Sequence, residues 1–367
     1  MKKNGMKIID ADGHLHEDAM AIAALLPSPY REMRHLERPN FPYRNLFPPV
    51  DHLHTPFRES PATRSERGRL DPEGWLHFLD DVGIHTTVLY PSAALASGRI
   101  TFVDEAIAVC KAYNDWLAAS YMKASRRFKT VGILPMQDPE AAVKELRRIV
   151  KDLGMPGAML PSTGLKAPLG AKEYWPVYEE ANRLGCALGI HGAGHSGIGL
   201  DQMNQFAAVH ALGHPLGVTI NFVSLFSNGV FDRFPNARFG FLEAGIGWMF
   251  LVMERLTASN KSFEQPNARG HLVTIPKGKT AAEHILKHMD EGRIYIGCEG
   301  DELDIAYAVK TMGSKPFLFS SDFPHEVTNE TCKEEIHELQ ENKTIAADAK
   351  ADILRKNAER FYGFTLK

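Results

Sequence analysis

Eight short apolar segments alternate with helix-forming stretches along this chain, and this repeat limits the folds that the chain can adopt. The segments are nearly continuous runs of apolar residues, which is typical of parallel strands covered on both faces. So many strand–helix repeats favour a closed barrel over an open sheet, which usually has fewer strands. We therefore predict an α/β protein with a (β/α)₈ TIM barrel. The predicted strands are residues 7–12, 85–91, 128–135, 157–161, 186–192, 237–243, 293–298 and 316–322.

The stretches between these strands carry helix start and stop signals. Residues 103–125 and 139–153 are amphipathic, and the second stretch begins with Asp138 as a cap and Pro139 in the first turn. The helix predicted over residues 173–184 ends at Gly185, and glycine is a common residue at that position. Each predicted helix therefore fills one gap in the repeat.

One long segment, residues 17–71, does not fit the repeat. It is rich in Pro, Arg and His, and it directly follows the first predicted strand. Such a loop emerges on the face of a barrel that carries active sites, where long loops often form lids. We interpret the chain as a single domain, residues 1–367, in which 17–71 is an inserted loop that forms a lid or a subunit contact. Arginines of this loop are candidates to bind a carboxylate, or else form a solvated surface: Arg58, Arg64, Arg67 and Arg69.

Net charge and apolar patterning exclude several classes of partner. The formal net charge of −3 at pH 7 gives no electrostatic reason to expect nucleic acid. No apolar run suggests a membrane span, and the N-terminal residues carry no signal-peptide pattern. We expect a cytoplasmic protein that binds neither nucleic acid nor membrane. The cysteines have no paired spacing and are expected to be buried thiols: Cys110, Cys186, Cys298 and Cys332.

Acidic and histidine side chains stand at the carboxyl ends of the first, fifth, sixth and eighth predicted strands, which meet at one mouth of a barrel. A lone Asp or His there is more often a cap or a loop partner, but a converging cluster of buried carboxylates needs a cation. Imidazole and carboxylate ligands suit Zn²⁺, Mn²⁺ or Fe²⁺, of which we expect Zn²⁺ first. The candidate ligands are Asp12, His14, His191, Glu243 and Asp322.

Several short motifs follow one another in an order that covers nearly the whole chain. They are Ile9-Asp10-Ala11-Asp12-Gly13-His14, Gly189-Ile190-His191-Gly192-Ala193, Gly229-Val230-Phe231-Asp232-Arg233-Phe234-Pro235, Leu242-Glu243-Ala244-Gly245-Ile246-Gly247-Trp248, Cys298-Glu299-Gly300-Asp301-Glu302, Phe319-Ser320-Ser321-Asp322-Phe323-Pro324-His325 and Asn357-Ala358-Glu359-Arg360-Phe361-Tyr362-Gly363. In this order and spacing they resemble the amidohydrolase superfamily. The resemblance is to the amidohydrolase-2 family, the branch of aminocarboxymuconate-semialdehyde decarboxylase and related aromatic-acid decarboxylases.

The resemblance implies a metal site, and this chain departs from the family pattern at two of its positions. The first-strand motif is usually His-x-His, whereas the matching pair here is Asp12 and His14; the rival pair His14 and His16 fits the preceding Ile9-Asp10 less well. On the sixth strand the family's decarboxylases commonly carry a histidine, where this chain has Glu243. A carboxylate at that position acts more readily as a base or a metal ligand than as a proton donor.

Other residues near the strand ends have two interpretations each. The fourth predicted strand ends at Pro161-Ser162 without a lysine, so the resemblance implies one metal ion rather than two. His195, in the glycine-rich loop after the fifth strand, is expected to orient substrate. Four further residues are expected to have supporting or structural roles, on the following helix or in the loops after the seventh and eighth strands: His210, His214, Glu299 and His325.

These residues and the resemblance together predict a metal-dependent enzyme that acts on a small carboxylated or aromatic molecule. The reaction is non-oxidative decarboxylation or hydrolysis, with Asp322 as the proton carrier and with Glu243 and His195 as further catalytic candidates. An iron-dependent oxygenase and a non-catalytic binding barrel remain as alternatives. The resemblance also implies a homodimer or higher homo-oligomer, and the apolar run Trp248-Met249-Phe250-Leu251 is a candidate contact.

Overall fold

The strands are short, mutually parallel and buried along most of their length, as the apolar segments predict. The computed structural model describes residues 6–33, 46–48, 70–192, 194–263 and 265–366. Within these residues, neighbouring strands follow the order β1-β2-β3 and β4-β5-β6-β7-β8-β9. The strands are β1 Ile8–Leu15, β2 Ile84–Pro91, β3 Phe128–Thr130, β4 Gly132–Ile133, β5 Gly157–Pro161, β6 Ala187–His191, β7 Arg238–Leu242, β8 Ile294–Cys298 and β9 Phe317–Phe319.

Backbone hydrogen bonds continue the sheet where the strand order is interrupted. Strands β3 and β4 are separated by Val131 alone, whose N–H donates to the carbonyl of Leu89 on β2 at 3.2 Å, so the two correspond to one predicted strand. Between the last strand and the first, the N–H of Asp322 donates to the carbonyl of Asp12 at 3.0 Å, and the N–H of His14 donates to the carbonyl of Phe323 at 2.7 Å. The chain beyond β9 therefore lies against β1, as the strand order of a (β/α)₈ barrel requires.

The helices alternate with these strands and begin at the expected caps. Asp138 accepts hydrogen bonds from two backbone N–H groups in the first turn of its helix, and Gly185 ends another in the left-handed conformation at φ 61°. Within the described residues they are α1 Ala19–Ala24, α2 Tyr30–Met33, α3 Pro72–Val82, α4 Val103–Ala119, α5 Tyr121–Ala124, α6 Pro139–Lys151, α7 Trp175–Leu184, α8 Phe206–Ser227, α9 Val230–Arg233, α10 Gly247–Ser262, α11 Ala281–Asp290, α12 Ile305–Met312, α13 Asn329–Glu341, α14 Ala347–Ala351 and α15 Asn357–Tyr362.

The boundaries that differ most in meaning from the sequence predictions are those of β1, β9 and the helix over residues 103–125. Strand β1 continues to Leu15, so that His14 lies within the strand rather than after it. Strand β9 ends at Phe319, and Asp322 follows in a loop at φ 53°, a left-handed conformation that cannot continue a strand. The helix predicted over residues 103–125 is interrupted at Ser120, whose hydroxyl donates to the carbonyl of Trp116 at 2.7 Å.

The predicted insertion lies largely outside the described residues. Its first part forms α1 and α2, and it rejoins the described chain at Leu70, just before α3. The candidate arginines Arg58, Arg64, Arg67 and Arg69 lie outside the described residues, so the carboxylate-binding and lid interpretations stay predictions.

Helix α8 is the one described helix long and apolar enough, by length and composition, to cross a bilayer. It packs against β6, β7, α9 and α10, and it buries side chains such as Phe222 and Leu225 against them. A buried core helix passes the same test of length and composition, so α8 is weak evidence for a membrane span. The four cysteines are buried free thiols, as expected from their spacing.

Candidate metal centre

The carboxyl end of β1 places two candidate ligands against a third from β6. Asp12 and His14 project to the same side of β1 because side chains alternate along a strand. The Nε2 atom of His191 lies 3.4 Å from Asp12 Oδ2, and the Nε2 atom of His14 lies 3.7 Å from Asp12 Oδ1. All three residues are buried, and their candidate ligand atoms lie within 4.8 Å of one another.

Asp322 joins this group from the loop after β9. Its Oδ1 atom lies 3.2 Å from His14 Nε2, the same nitrogen that faces Asp12. The backbone hydrogen bond from the Asp322 N–H to the carbonyl of Asp12 fixes these two residues relative to each other. Four of the predicted ligands are therefore brought together from three separate parts of the chain.

The hydrogen bonds around these side chains fit a single divalent cation. Asp12 Oδ1, His14 Nε2 and His191 Nε2 are buried atoms without a hydrogen-bond partner. Each imidazole uses its other nitrogen: His14 Nδ1 lies 2.7 Å from the carbonyl of Pro91, and His191 Nδ1 lies 2.8 Å from that of Gly192. With an ion bound, protons on both Nδ1 atoms would leave the Nε2 lone pairs for the ion, which is how metal-binding histidines are usually oriented.

The pKa values of these side chains reflect burial next to other charges. Burial raises the pKa of Asp12 to about 7, and the carboxylates of Asp322 and Glu243 act in the same direction. Burial lowers the pKa of His14 well below its ordinary value, and nearby His325 and His191 lower it further. Burial alone would lower the pKa of His191, but the Asp12 and Glu243 carboxylates raise it to about 9. A cation between these groups would neutralise the carboxylates that are crowded here.

Glu243 lies on the other side of His191. It follows β7 at φ 53°, and its Oε2 atom is 3.3 Å from His191 Nδ1 and 2.7 Å from His214 Nδ1. Burial would raise the pKa of Glu243, but His214 and His191 hold it well below its ordinary value. The ionised carboxylate thus contacts the nitrogen of His191 that faces away from Asp12.

His214 is a site residue that the sequence analysis placed on a helix with a structural role. It does lie on α8, yet it lines the cavity and contacts Glu243. A β-carbon at Gly192 would lie 2.1 Å from His214 Nδ1, so only glycine at this position lets the imidazole approach. The spacing of His210 and His214 on one face of a helix was the available signal, and their rings are 5.7 Å apart.

His195 and His16 lie outside the group of candidate ligands. His195 is buried behind His214, with ring centres 4.9 Å apart, and it is not among the described residues that line the cavity. The Nδ1 atom of His16 accepts the N–H of Leu70 at 3.2 Å. The pair brought to the centre is therefore Asp12 and His14, rather than His14 and His16.

His325 supports Asp322 through a side-chain contact. Its Nδ1 atom lies 3.1 Å from Asp322 Oδ1, its Nε2 atom lies 3.0 Å from the hydroxyl of Ser92, and its ring stacks on His14 with centres 4.1 Å apart. Ser92 is fixed in turn, since its N–H donates to the Glu17 carboxylate at 3.1 Å. Burial alone would lower the pKa of His325, but the Asp322 carboxylate raises it to about 10.

A cavity of about 450 Å³ opens beside the cluster, and its lining is acidic. No lysine or arginine of the described residues lines it. Glu302 fixes the loop after β8 by accepting the N–H of Glu299 at 2.9 Å and that of Ile246 at 2.8 Å. The lining carboxylates are Asp12, Glu243, Glu299, Glu302, Asp322, Glu326 and Glu335.

Comparisons with known proteins agree with the motifs. The sequence model of the amidohydrolase-2 family, described as amidohydrolase, matches residues 9–364. This family has the TIM-barrel fold, which confirms the predicted fold class at that level. A 2-amino-3-carboxymuconate-6-semialdehyde decarboxylase of Dictyostelium discoideum is 26% identical over 284 residues, which cover 77% of this chain and 74% of that protein. A gamma-resorcylate decarboxylase of a Polaromonas species is 29% identical over 272 residues, covering 68% and 76% of the two chains.

Solved structures share the fold over nearly the whole chain. A 5-carboxyvanillate decarboxylase from Sphingomonas paucimobilis superposes with a TM-score of 0.72 at 19% identity, covering 98% of this chain and 100% of that chain. A dihydroxybenzoic acid decarboxylase from a Polaromonas species, with bound manganese and the inhibitor 2-nitroresorcinol, has a TM-score of 0.65 at 19% identity and covers 98% and 97%.

Proposed function

The chain belongs to the amidohydrolase family, and on that premise we propose that it is a metal-dependent enzyme that decarboxylates an aromatic acid without oxidation. The observation that carries the proposal is the buried group of Asp12, His14 and His191, whose unpaired atoms lie within 4.8 Å of one another beside a cavity. The curated relatives at 26% and 29% identity are decarboxylases of carboxylated substrates, which favours this reaction over hydrolysis.

Asp12, His14, His191 and Asp322 would hold the metal ion in this proposal. When bound, a divalent cation supplies positive charge that polarises an oxygen of the substrate. The acidic cavity lining agrees with such a role, because without added positive charge it would repel a carboxylate substrate.

The protein's own side chains then have to orient the substrate and deliver one proton. The bond between the ring carbon and the carboxyl carbon breaks, CO₂ leaves, and a proton takes its place on the ring carbon. We assign the proton transfer to Asp322, because its carboxyl group lines the cavity and is held by His325 at 3.1 Å. Glu243 orients the His191 ring through its Nδ1 side, and His195 supports His214 from behind.

The identity of the metal is part of the proposal. Zinc is the first expectation from the imidazole and carboxylate ligands, while manganese is bound in the similar dihydroxybenzoic acid decarboxylase. Elemental analysis of protein purified without chelator, followed by reconstitution of the stripped protein with Zn²⁺, Mn²⁺ or Fe²⁺, identifies the ion that restores activity.

The activity is tested with a panel of hydroxybenzoates and related aromatic carboxylates, against matched esters, lactones and amides. We expect CO₂ release in equal amount to the decarboxylated product and no uptake of O₂. Asp322→Asn should lower kcat at least 10³-fold while the fold and metal content persist, and Asp348→Asn, at an exposed position, is the matched control. Ester or amide cleavage without CO₂ would indicate a hydrolase, O₂ uptake an oxygenase, and ligand binding without turnover a binding barrel.

We further propose that the enzyme is cytoplasmic and forms a homodimer or higher homo-oligomer. The helix α10 supports a subunit contact, since Leu251 is 59% exposed on a helix that also carries Phe250. Light scattering at several protein concentrations measures the mass, and Leu251→Glu should shift it towards the monomer if α10 forms the contact.

A further inference from the structure

Two histidines and an aspartate form a second cluster at the other end of the strands. His284 and His288 are four residues apart on α11 and therefore lie on one face of that helix. Both direct Nε2 towards Asp232 on α9, His284 at 3.0 Å from Oδ2 and His288 at 3.4 Å from Oδ1. Helices α9 and α11 lead into the amino ends of β7 and β8, whereas the candidate metal centre lies at the carboxyl ends of the strands.

The separations in this cluster match those between ligands of a small tetrahedral ion. Zn–N and Zn–O bonds of ~2.1 Å at tetrahedral angles place neighbouring ligand atoms ~3.4 Å apart. Each imidazole lies at about that distance from one oxygen of the same carboxylate, His284 Nε2 at 3.0 Å from Oδ2 and His288 Nε2 at 3.4 Å from Oδ1. The three candidate ligand atoms lie within 4.8 Å of one another, so small side-chain rotations are sufficient to bring them to one ion.

Burial and exposure in the cluster suit a metal site that ions reach from solvent. His284 and His288 are buried, at 4% and 1% exposure, while the Asp232 side chain is 38% exposed. Phe226 and Phe231 pack against the two imidazole rings, with ring centres 6.0 and 5.8 Å apart.

The second ring nitrogen of His288, Nδ1, also has polar neighbours. Arg293 Nη1 lies 3.1 Å from His288 Nδ1, so the proton of this ring is on Nε2 in the metal-free arrangement. Arg293 also pairs with Glu291 at 3.0 Å, and Glu291 Oε2 lies 4.0 Å from His288 Nδ1. An ion on Nε2 would require the proton to lie on Nδ1, and the Glu291 carboxylate is the nearby group that would accept it there.

We propose that Asp232, His284 and His288 form a second divalent-metal site, of the zinc class, that ties α9 to α11 and is separate from the catalytic centre. A water molecule would complete the coordination from the exposed side of Asp232. The ion adds no reacting group near the cavity, so its role is to stabilise the packing of these two helices. This proposal does not depend on the reaction that the enzyme catalyses.

Zinc stoichiometry of the full chain tests the proposal. We expect about two Zn²⁺ per chain in the wild type at saturation and about one in both His191→Ala and His288→Gln. In the His191→Ala background, added Zn²⁺ should raise Tm by about 5 °C, and this shift should disappear in the His191→Ala/His288→Gln protein. With Co²⁺ as probe, the same background should show the absorption of a tetrahedral ion.

Asp232→Asn is the second variant, because an amide oxygen still accepts one hydrogen bond and preserves the packing. It should weaken the peripheral Zn²⁺ affinity at least tenfold. His337→Gln, at an exposed position on α13, is the control and should retain the wild-type stoichiometry. Equal zinc content in the wild type and folded His288→Gln, or no Zn²⁺-dependent Tm shift in His191→Ala, would show that the cluster is only a hydrogen-bonded contact and overturn the proposal.

Discussion

The Asp10 carboxylate accepts the backbone N–H of Ser321 at 2.9 Å, which connects the first strand to the segment that follows the last. The same oxygen also accepts the N–H of Asp12 at 3.2 Å, and the other oxygen accepts the hydroxyl of Thr87 at 2.6 Å. Ser321 directly precedes Asp322. One buried carboxylate therefore fixes the backbone of the two segments that carry the candidate ligands Asp12 and Asp322.

Asp10→Ala should destabilise the fold and disturb the metal centre together. It leaves two buried backbone N–H groups unpaired, which should lower the free energy of unfolding by roughly 2–4 kcal/mol. Asp10→Asn retains an acceptor oxygen and should cost only about 1 kcal/mol. Urea denaturation at pH 7 and metal analysis measure both effects.

The control is Asp71→Ala, which removes the cap that accepts the N–H of Gly74 at the start of α3. It should cost about 1 kcal/mol without loss of metal. Equal metal content in the Asp10→Ala and wild-type proteins would show that Asp10 does not position the ligands.

His191→Ala should remove one metal ion per chain. The variant loses an imidazole whose Nε2 is 3.4 Å from Asp12. The ligands that remain include only one imidazole nitrogen, which is too few for tight binding. Chelation should therefore lower Tm more in the wild type than in His191→Ala, since only the wild type has this binding free energy to lose. Elemental analysis and thermal melts with and without chelator provide the measurements.

The exposed-position variant His337→Ala serves as control for a lost histidine and should behave as the wild type. If His191→Ala retains the full wild-type metal content, His191 is not a ligand.

Topology alone is enough to group most residues of the candidate metal centre. In a barrel the carboxyl ends of the strands converge, so Asp12, His14 and His191 could be grouped from their positions at strand ends. Asp322 was also assigned to this mouth, although it lies beyond the end of β9. Asp322 has a left-handed backbone and donates its N–H to the carbonyl of Asp12, a long-range relationship that no local sequence pattern describes.

The residues that surround the candidate ligands are less predictable, because their positions depend on side-chain packing. His214 reaches Glu243 only because Gly192 leaves room for its ring, a relationship between residues on a loop and a helix. His195 follows a strand, where catalytic residues of barrels lie, yet α8 covers it. Strand-end position therefore groups the candidate ligands better than it finds the residues that support them.

His325→Gln should reduce turnover without removing the metal. The side chain holds Asp322 at 3.1 Å and is itself held by Ser92 at 3.0 Å, so its loss frees the carboxylate that we assign to proton transfer. Supporting residues of this kind typically contribute 10- to 100-fold. We expect kcat to fall in that range with KM and metal content nearly unchanged.

Ser92→Ala should show a smaller effect in the same direction, of severalfold, because His325 keeps its contact with Asp322. Ser125→Ala, which lies just before the amino end of β3, is the matched control and should leave kcat unchanged. A selective rise of KM in His325→Gln would instead indicate that His325 binds substrate.

Glu335→Gln should change how stability depends on pH. Glu335 is a buried residue of α13 that lines the cavity, and its Oε2 atom has no hydrogen-bond partner. Burial, together with the charges of Glu299, Asp301 and Asp322, raises its pKa to about 8. The folded protein thus retains a proton that the unfolded chain loses near pH 4.5, the ordinary value for a glutamate.

The contribution of this group to stability is therefore complete below about pH 4.5 and is lost as the pH rises to about 8. In chelated protein, Glu335→Gln should be more stable than the wild type at pH 8 by about 1 kcal/mol or more, since it removes a buried unpaired charge. The advantage should shrink towards pH 5. Urea denaturation at several pH values measures it, with Glu338→Gln, exposed on the same helix, as control. A constant difference across this range would mean that Glu335 does not titrate there.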